Sequence, residues 1–271
     1  NFIYTPAELS DWAWRVPFVI GGVFGLISIY LRRFLQETPV FKKMRESKAL
    51  AKFPLEEVVK TSRFGIWISM FITWVLTGCI VVFILLMPGF VGGVLGFSPF
   101  ETTYFQMGGL VCIVSSCWLT GRLADKHNPS TLCILFSAGF AVSSVAFFSL
   151  LYTAAPVVSE VVLAYFATCF FAGIMNFCPI FMCDVFPARI RFSGISFAYN
   201  IAYALSGAFT PQLSFALHAY AKTHPDTLGA MGLSAYIVFL ALVSIGTALA
   251  MRRVYKNGGA AVSQMEFRPA P

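Results

Sequence analysis

The sequence predicts an all-α membrane protein with seven transmembrane helices, and three observations carry the prediction. Of its 271 residues, 58% are hydrophobic and only 11% charged, against roughly 45–50% and about 25% in soluble domains. The apolar residues are gathered into long uninterrupted runs, the pattern of helices that face lipid. The basic residues stand in the gaps between those runs, and nearly all of them fall in alternate gaps.

Seven windows contain no Asp, Glu, Lys or Arg: residues 16–31, 64–87, 102–121, 132–152, 161–183, 192–217 and 228–251. Most of them approach or exceed the ~20 residues that span about 30 Å of hydrocarbon as a helix. The first is short, but Arg15 and Arg32 flank it, and their long stems can carry the charges out to the headgroups. A charge at midspan costs about 2.5–3.5 kcal/mol on insertion scales, so charge-free windows of this length are selected features.

Taking the gap between Arg32 and Arg63 as cytoplasmic and alternating sides thereafter, the inner segments hold nine, two, two and four Lys or Arg residues. The outer segments hold Arg15 and Lys222 alone. The positive-inside rule then sets the N-terminus outside and the C-terminus in the cytoplasm of a multi-pass cell-membrane protein. The long polar connection 36–63 contains FKKMRESKALAKF (41–53), whose spaced apolar residues among lysines suit either an interfacial helix on an anionic leaflet or a solvated linker. The glycine-rich outer stretch PGFVGGVLGFSP (88–99) is expected to be irregular.

Several function classes fall away. The net charge of +7 sits in loops between spans, which leaves no soluble domain to present a basic face to nucleic acid. The cysteines Cys79, Cys112, Cys117, Cys133, Cys169, Cys178 and Cys183 lie in or beside apolar runs without CxxC spacing, so no metal site and no cofactor is expected. A heptahelical receptor of the retinal type would need a lysine within a span. A membrane protease or desaturase would need His or Asp at depth, whereas His127, His218 and His224 fall in or beside loops. No catalytic residue is therefore expected. The chain opens at Asn1 without a signal-peptide pattern and reads as the later part of a longer protein.

Specific strings refine the class. Trp14-Arg15-Val16-Pro17-Phe18 opens the first window and Glu37-Thr38-Pro39-Val40-Phe41 follows it. Gly121-Arg122-Leu123-Ala124-Asp125-Lys126 comes later, then Asp184-Val185-Phe186-Pro187-Ala188-Arg189-Ile190-Arg191-Phe192-Ser193-Gly194, and Tyr199-Asn200. In this order and spacing the chain resembles the metabolite:proton symporter family of the major facilitator superfamily, whose members carry proline and betaine, 2-oxoglutarate, citrate or shikimate. The resemblance implies two six-helix bundles about a central cavity, alternating access, a bacterial inner membrane, a small polar metabolite as substrate, and protons as its companion.

It further implies that residues 1–34 are an outer segment and the last helix of the first bundle, 35–63 the inter-bundle loop, 64–251 a complete second bundle, and 252–271 a cytoplasmic tail. The first five helices would be missing, and with them the cavity's other half. A truncated, inactive remnant of such a transporter would read the same way.

Two sets of residues are candidates for function. The family's loop pattern is matched at Gly121, Leu123, Ala124, Asp125 and Lys126, while Asn128-Pro129-Ser130 replaces its Gly-Arg-basic end. Asp125 can face the N-terminus of the helix starting near Phe192, where free amides favour an anion. With Arg122, Lys126, Asp184, Arg189 and Arg191 it is expected to form a charge cluster that closes the cytoplasmic side. The polar and aromatic residues at span depth, Thr73, Trp74, Thr77, Gln106, Asn176, Tyr199, Asn200, Tyr203 and Gln212, are candidates to line the cavity, because an amide in hydrocarbon must face protein or water.

Gly194, Ala198, Ala202 and Ser206, and likewise Gly21 and Gly25, have the small-xxx-small spacing of a close helix seam. Pro179 and Pro211 are expected to kink or break their helices. No window contains a titratable carboxylate or a cation, so coupling to protons is expected to depend on groups outside this chain.

Overall fold

The computed structural model describes residues 4–34, 42, 45–46, 53–153, 155–224 and 231–256. The chain divides into two compact units, Asn1–Ala49 and Leu50–Pro271. Among the described residues there are helices and turns but no strand, as a chain built to satisfy its backbone within each apolar segment requires.

The first unit holds a short helix α1 (Pro6–Asp11), one 3-10 turn (Ala13–Arg15) and α2 (Val16–Arg32). Thr5 starts α1 with a capping box: its hydroxyl accepts the Glu8 amide at 3.3 Å, and the Glu8 carboxylate accepts the Thr5 amide at 2.8 Å. Those hydrogen bonds from Thr5 hold the Glu8 carboxyl below its ordinary pKa. No residue of α2 is buried, so a helix this apolar needs lipid or further protein around it. The 41–53 stretch, read as either an interfacial helix or a solvated linker, lies almost wholly outside the described residues.

The second unit begins with α3 (Pro54–Thr61), a short amphipathic helix. Next come α4 (Arg63–Ile80), a π-helical stretch Val81–Leu86, and α5 (Met87–Leu95), all in one rod. α6 (Pro99–Ala124) and α7 (Pro129–Leu151) follow. A composite rod then runs through α8 (Val158–Phe171), a 3-10 turn Ala172–Asn176 and α9 (Phe177–Val185). The unit ends with α10 (Ala188–Thr223) and α11 (Gly232–Lys256).

One expectation from the sequence is corrected here. The glycine-rich 88–99 stretch is not irregular: Met87–Leu95 is helical, with Pro88 tolerated in the first turn after the π stretch. The turn comes at Gly96, whose φ of 70° is left-handed and cheapest for glycine. Of the kink or break expected at Pro211 there is no break, since α10 runs through it for 36 residues. Pro179 behaves as expected. The 3-10 turn ends at Asn176, so the missing amide of Pro179 falls in the first turn of α9.

Among the described residues, six helical segments are long and apolar enough to cross a membrane: Ala13–Arg32, Arg63–Leu95, Pro99–Ala124, Pro129–Leu151, Val158–Val185 and Gly232–Lys256. α10 is longer than any of them, but it is not in that set and has a lower mean hydropathy because of Arg189, Arg191, Asn200, Gln212 and its many small polar residues.

Packing in the second unit follows the rule for helices in lipid, where close contact replaces hydrophobic drive. The seam Gly194, Ala198, Ala202 and Ser206 is fully buried where α10 lies on α4. Gly109 accepts the Tyr165 ring and Gly139 the Phe171 ring so closely that an added Cβ would stand 2.5 and 2.3 Å from ring carbons. Phe83, Phe140, Phe147, Phe148 and Tyr165 fill the centre, with no more than 1% of any of them exposed.

Candidate functional site

The polar residues that the sequence singles out separate into three sites once the helices are packed. One group is structural. Thr73 is buried between α4 and α9, with its hydroxyl 3.7 Å from the Cys178 sulfur, and Thr77 returns its hydroxyl to the Thr73 carbonyl at 2.9 Å. Gln106 donates to the Ile84 carbonyl at 2.6 Å, and Tyr165 donates to the Phe83 carbonyl at 2.8 Å. Both carbonyls belong to the π-helical stretch, so these side chains hold a register break. Asn176 donates to the Cys117 carbonyl and the Thr120 hydroxyl, both at 3.2 Å, and ties the 3-10 turn to α6. Each of these five polar residues has a protein partner, as buried polar groups require.

The second group faces outward. Tyr199 and Tyr203 stack on each other with centroids 5.4 Å apart, and Tyr203 is 40% exposed. Asn200 and Gln212 are exposed, three steps of four residues apart, on the side of α10 opposite the buried seam. Asn200 reaches only its own helix, donating to the Ser196 carbonyl at 2.7 Å.

Beside them Trp74 is half-buried. It stands edge-on to Phe209 at 6.0 Å and donates its indole N–H to the Tyr236 hydroxyl at 3.3 Å. That hydroxyl also hydrogen-bonds Thr210 at 2.7 Å. The chain Trp74–Tyr236–Thr210 links α4, α11 and α10. Tyr236 and Thr210 escape notice in the sequence because they sit among apolar neighbours. Their one signal is a hydroxyl at span depth.

The third group lies at the end of the unit where α4 starts and α11 ends. Arg189 pairs with Glu57 of α3, and both side chains are about a quarter to a third accessible. Val58, the neighbour of Glu57, is fully buried against Phe186 and Ile190. Asp184 is taken by another partner: it accepts the Tyr255 hydroxyl at 2.5 Å. Arg191 donates to the Phe186 carbonyl at 3.1 Å, and Arg122 lies over the Trp118 ring at 4.0 Å. Asp125 and Lys126 are exposed in the turn after α6.

The expected cluster is therefore distributed differently. Extended Phe186 and Pro187 turn the chain between α9 and α10, and Arg189 meets α3 rather than Asp184. Glu57 and Tyr255 went unread in the sequence. The signal for Glu57 was present: an acidic pair, Glu56-Glu57, in a strongly basic connection. Asn128 explains the departure from the loop pattern. It accepts the Ser130 amide at 2.9 Å and, with Pro129 in the first turn, starts α7.

No His/Cys/Asp/Glu group among the described residues could hold a metal. Chemically, the unit offers a stacked aromatic pair and amides on an outward face, and a hydrogen-bonded charge cluster at one end.

Comparison with known proteins points the same way. Residues 5–211 match the Major Facilitator Superfamily. An inner membrane metabolite transport protein of Escherichia coli is 28% identical over 247 residues, 86% of this chain and 53% of that protein. A citrate-proton symporter of Klebsiella pneumoniae is 26% identical over 227 residues, 81% of this chain and 49% of that protein. A protein of Staphylococcus haemolyticus, provisionally named a proline/betaine transporter, is 23% identical over 214 residues, 78% of this chain and 45% of that protein.

The chain thus spans about half the length of the curated relatives it matches. No solved structure matches it. A multi-pass helical chain whose relatives are named as transporters and not as enzymes, the protein belongs to the Major Facilitator Superfamily.

Proposed function

We propose that the chain is the second-bundle part of a secondary transporter that moves a small polar metabolite, of the organic acid, proline or betaine type, by alternating access, with proton coupling in the whole protein. One observation carries this reading. Asn200 and Gln212 lie at span depth on the side of α10 turned away from its own bundle. An amide facing lipid would cost several kcal/mol, so that face needs water or protein, which a cavity between two bundles supplies. On this reading α10 crosses the membrane as a seventh span, its polarity explained by the cavity it lines. Trp74, Tyr199, Asn200, Tyr203 and Gln212 face substrate, whereas Thr73, Thr77, Gln106 and Asn176 hold the helices that present them. Stacked aromatic faces suit a quaternary ammonium such as a betaine.

The charged end carries the gate. Arg189–Glu57 holds α10 to α3 and Asp184–Tyr255 holds α11 to α9 in one state, and both part in the other, with Arg122, Asp125, Lys126 and Arg191 lining the same end. The excess of Lys and Arg in the segments at that end supports placing it in the cytoplasm, in a bacterial inner membrane like that of the relative from Escherichia coli. With no titratable carboxylate or cation in any span, this chain supplies half a cavity and no proton site.

Reading the gene upstream of the codon for Asn1 tests the proposal. Five further apolar spans in frame are expected, and the longer product should take up citrate, proline or glycine betaine when an inward proton gradient is imposed on proteoliposomes. The 271-residue chain alone should show none. An upstream stop codon would favour an inactive remnant, and gradient-driven uptake by the chain alone would overturn the half-cavity reading. Cys183, exposed while the other cysteines are buried or half-buried, tests orientation: a membrane-impermeant maleimide should label it in inverted vesicles and not in intact cells.

A further inference from the structure

A groove of about 390 Å³ runs between the first turns of α4 and the last turns of α11, walled by Phe64, Trp67 and Phe71 on one side and Val243, Gly246 and Ala250 on the other. It takes no part in the transport face or the charge cluster. Its floor is Ile68 and Thr247. The one hydroxyl present is withdrawn, because Thr247 donates it to the Val243 carbonyl at 2.8 Å and leaves a methyl for the groove.

From Phe64 to Phe71 the wall is about 10 Å long at 1.5 Å per residue. Half-exposed Phe64, Trp67 and Phe71 form it, and Trp67 stacks on Phe71 at 5.8 Å. Gly246 leaves the opposite wall low: a Cβ added there would meet nothing within 4 Å.

The mouth of this apolar slot is cationic. Arg63 lies four residues before Trp67, and Arg253 three residues after Ala250, so helical periodicity sets each one turn beyond the groove on the groove side. Both are exposed, and neither has a hydrogen bond or ion pair among the described residues. Lying at the ends of their helices, these cations stand at headgroup level while the groove extends toward the acyl region, with Trp67 near the interface that tryptophan prefers. A neutral occupant would fill the slot and leave two cations unanswered.

We propose that the groove is a binding site for an anionic phospholipid, with one acyl chain lying between α4 and α11 and the phosphate held by Arg63 and Arg253. The inference needs only that the bundle sits in a bilayer and stands whether or not the transport reading does. Aromatic and glycine walls take the chain by shape, and the two guanidinium groups select the headgroup by charge.

The test is lipid binding to the delipidated 271-residue chain in neutral detergent, read by native mass spectrometry. Phosphatidylglycerol is compared with phosphatidylcholine carrying the same acyl chains. The wild type is expected to prefer phosphatidylglycerol by about thirtyfold, the scale of two cations acting on one anionic headgroup at a wet surface. R63Q/R253Q should lose the preference yet keep the phosphatidylcholine level, while G246L, which puts a side chain into the slot from a position where its Cβ meets nothing within 4 Å, should weaken both lipids.

R252Q, one position away on α11, should keep the preference; an equal loss there would mean diffuse attraction and overturn the site. Equal binding of the two lipids by wild type, or a preference surviving R63Q/R253Q, would also overturn it, as would G246L binding both lipids like wild type. Should R63Q/R253Q fail to fold, the wild-type comparison and G246L still decide.

Discussion

Arg189 and Glu57 join α3 to the start of α10, and a double-mutant cycle on this pair tests how the charged end is held. Their side chains keep 33% and 22% of their accessibility. That sets the pair between exposed ion pairs, worth about 0.2–1 kcal/mol, and buried ones, where removing one partner costs about 3–5 kcal/mol. Glu57→Gln and Arg189→Gln should each destabilise by about 1–2 kcal/mol. Their coupling should be about 1 kcal/mol, fivefold in the unfolding equilibrium.

The assay is reversible SDS unfolding in mixed micelles, followed by tryptophan fluorescence, at about 0.05 M and 0.5 M salt. The coupling should shrink at high salt, because a partly exposed pair is screened. Val58→Ala supplies the comparison. Val58 is fully buried against Phe186 and Ile190, so losing its methyls should cost about 2 kcal/mol with no salt dependence. If the two charge substitutions prove additive within about 0.3 kcal/mol, the ion pair does not hold α3, and the gate built on it fails.

Other perturbations give separate readings. Tyr165→Phe keeps the ring stacked on Phe105 at 4.1 Å but removes the bond to the Phe83 carbonyl; a loss of about 0.6–1.7 kcal/mol is expected in the same unfolding assay. Gly109→Ala drives a methyl into the Tyr165 ring and should cost about 1–3 kcal/mol, whereas Gly207→Ala, where a Cβ meets nothing within 4 Å, should be neutral or slightly stabilising.

His218 of α10 is stacked on Phe90 at 4.0 Å and stands 2.5 Å from the Tyr152 hydroxyl. His218→Ala removes both contacts and should cost about 1–3 kcal/mol in the same unfolding assay.

How much was legible differs between backbone and side chain. The windows 64–87, 102–121, 132–152 and 161–183 all lie on helices long and apolar enough to cross a membrane, and the Gly194–Ser206 spacing predicted a seam that is buried. The fate of the polar candidates was not legible. Gln106 and Asn200 look alike in the sequence, yet one supports a π-helical carbonyl and the other faces away from the bundle. Residues 88–99 misled because glycine lowers helix propensity in water, whereas an apolar segment without water keeps its helical bonds.

The sequence by itself determined that the chain lives in a bilayer, where six of its candidate spans fall, and which superfamily it joins. Each follows from local composition or from motif order, and a missing charge in a 20-residue window costs or saves energy whatever the neighbours are. Only the tertiary structure decided that Arg189 meets Glu57 and not Asp184, that Tyr236 joins Trp74 to Thr210, and that a cation-mouthed groove opens between α4 and α11. These are pairings between residues 26 to 162 positions apart. They are selected by which faces the helices bring within hydrogen-bonding reach, and no local pattern encodes that.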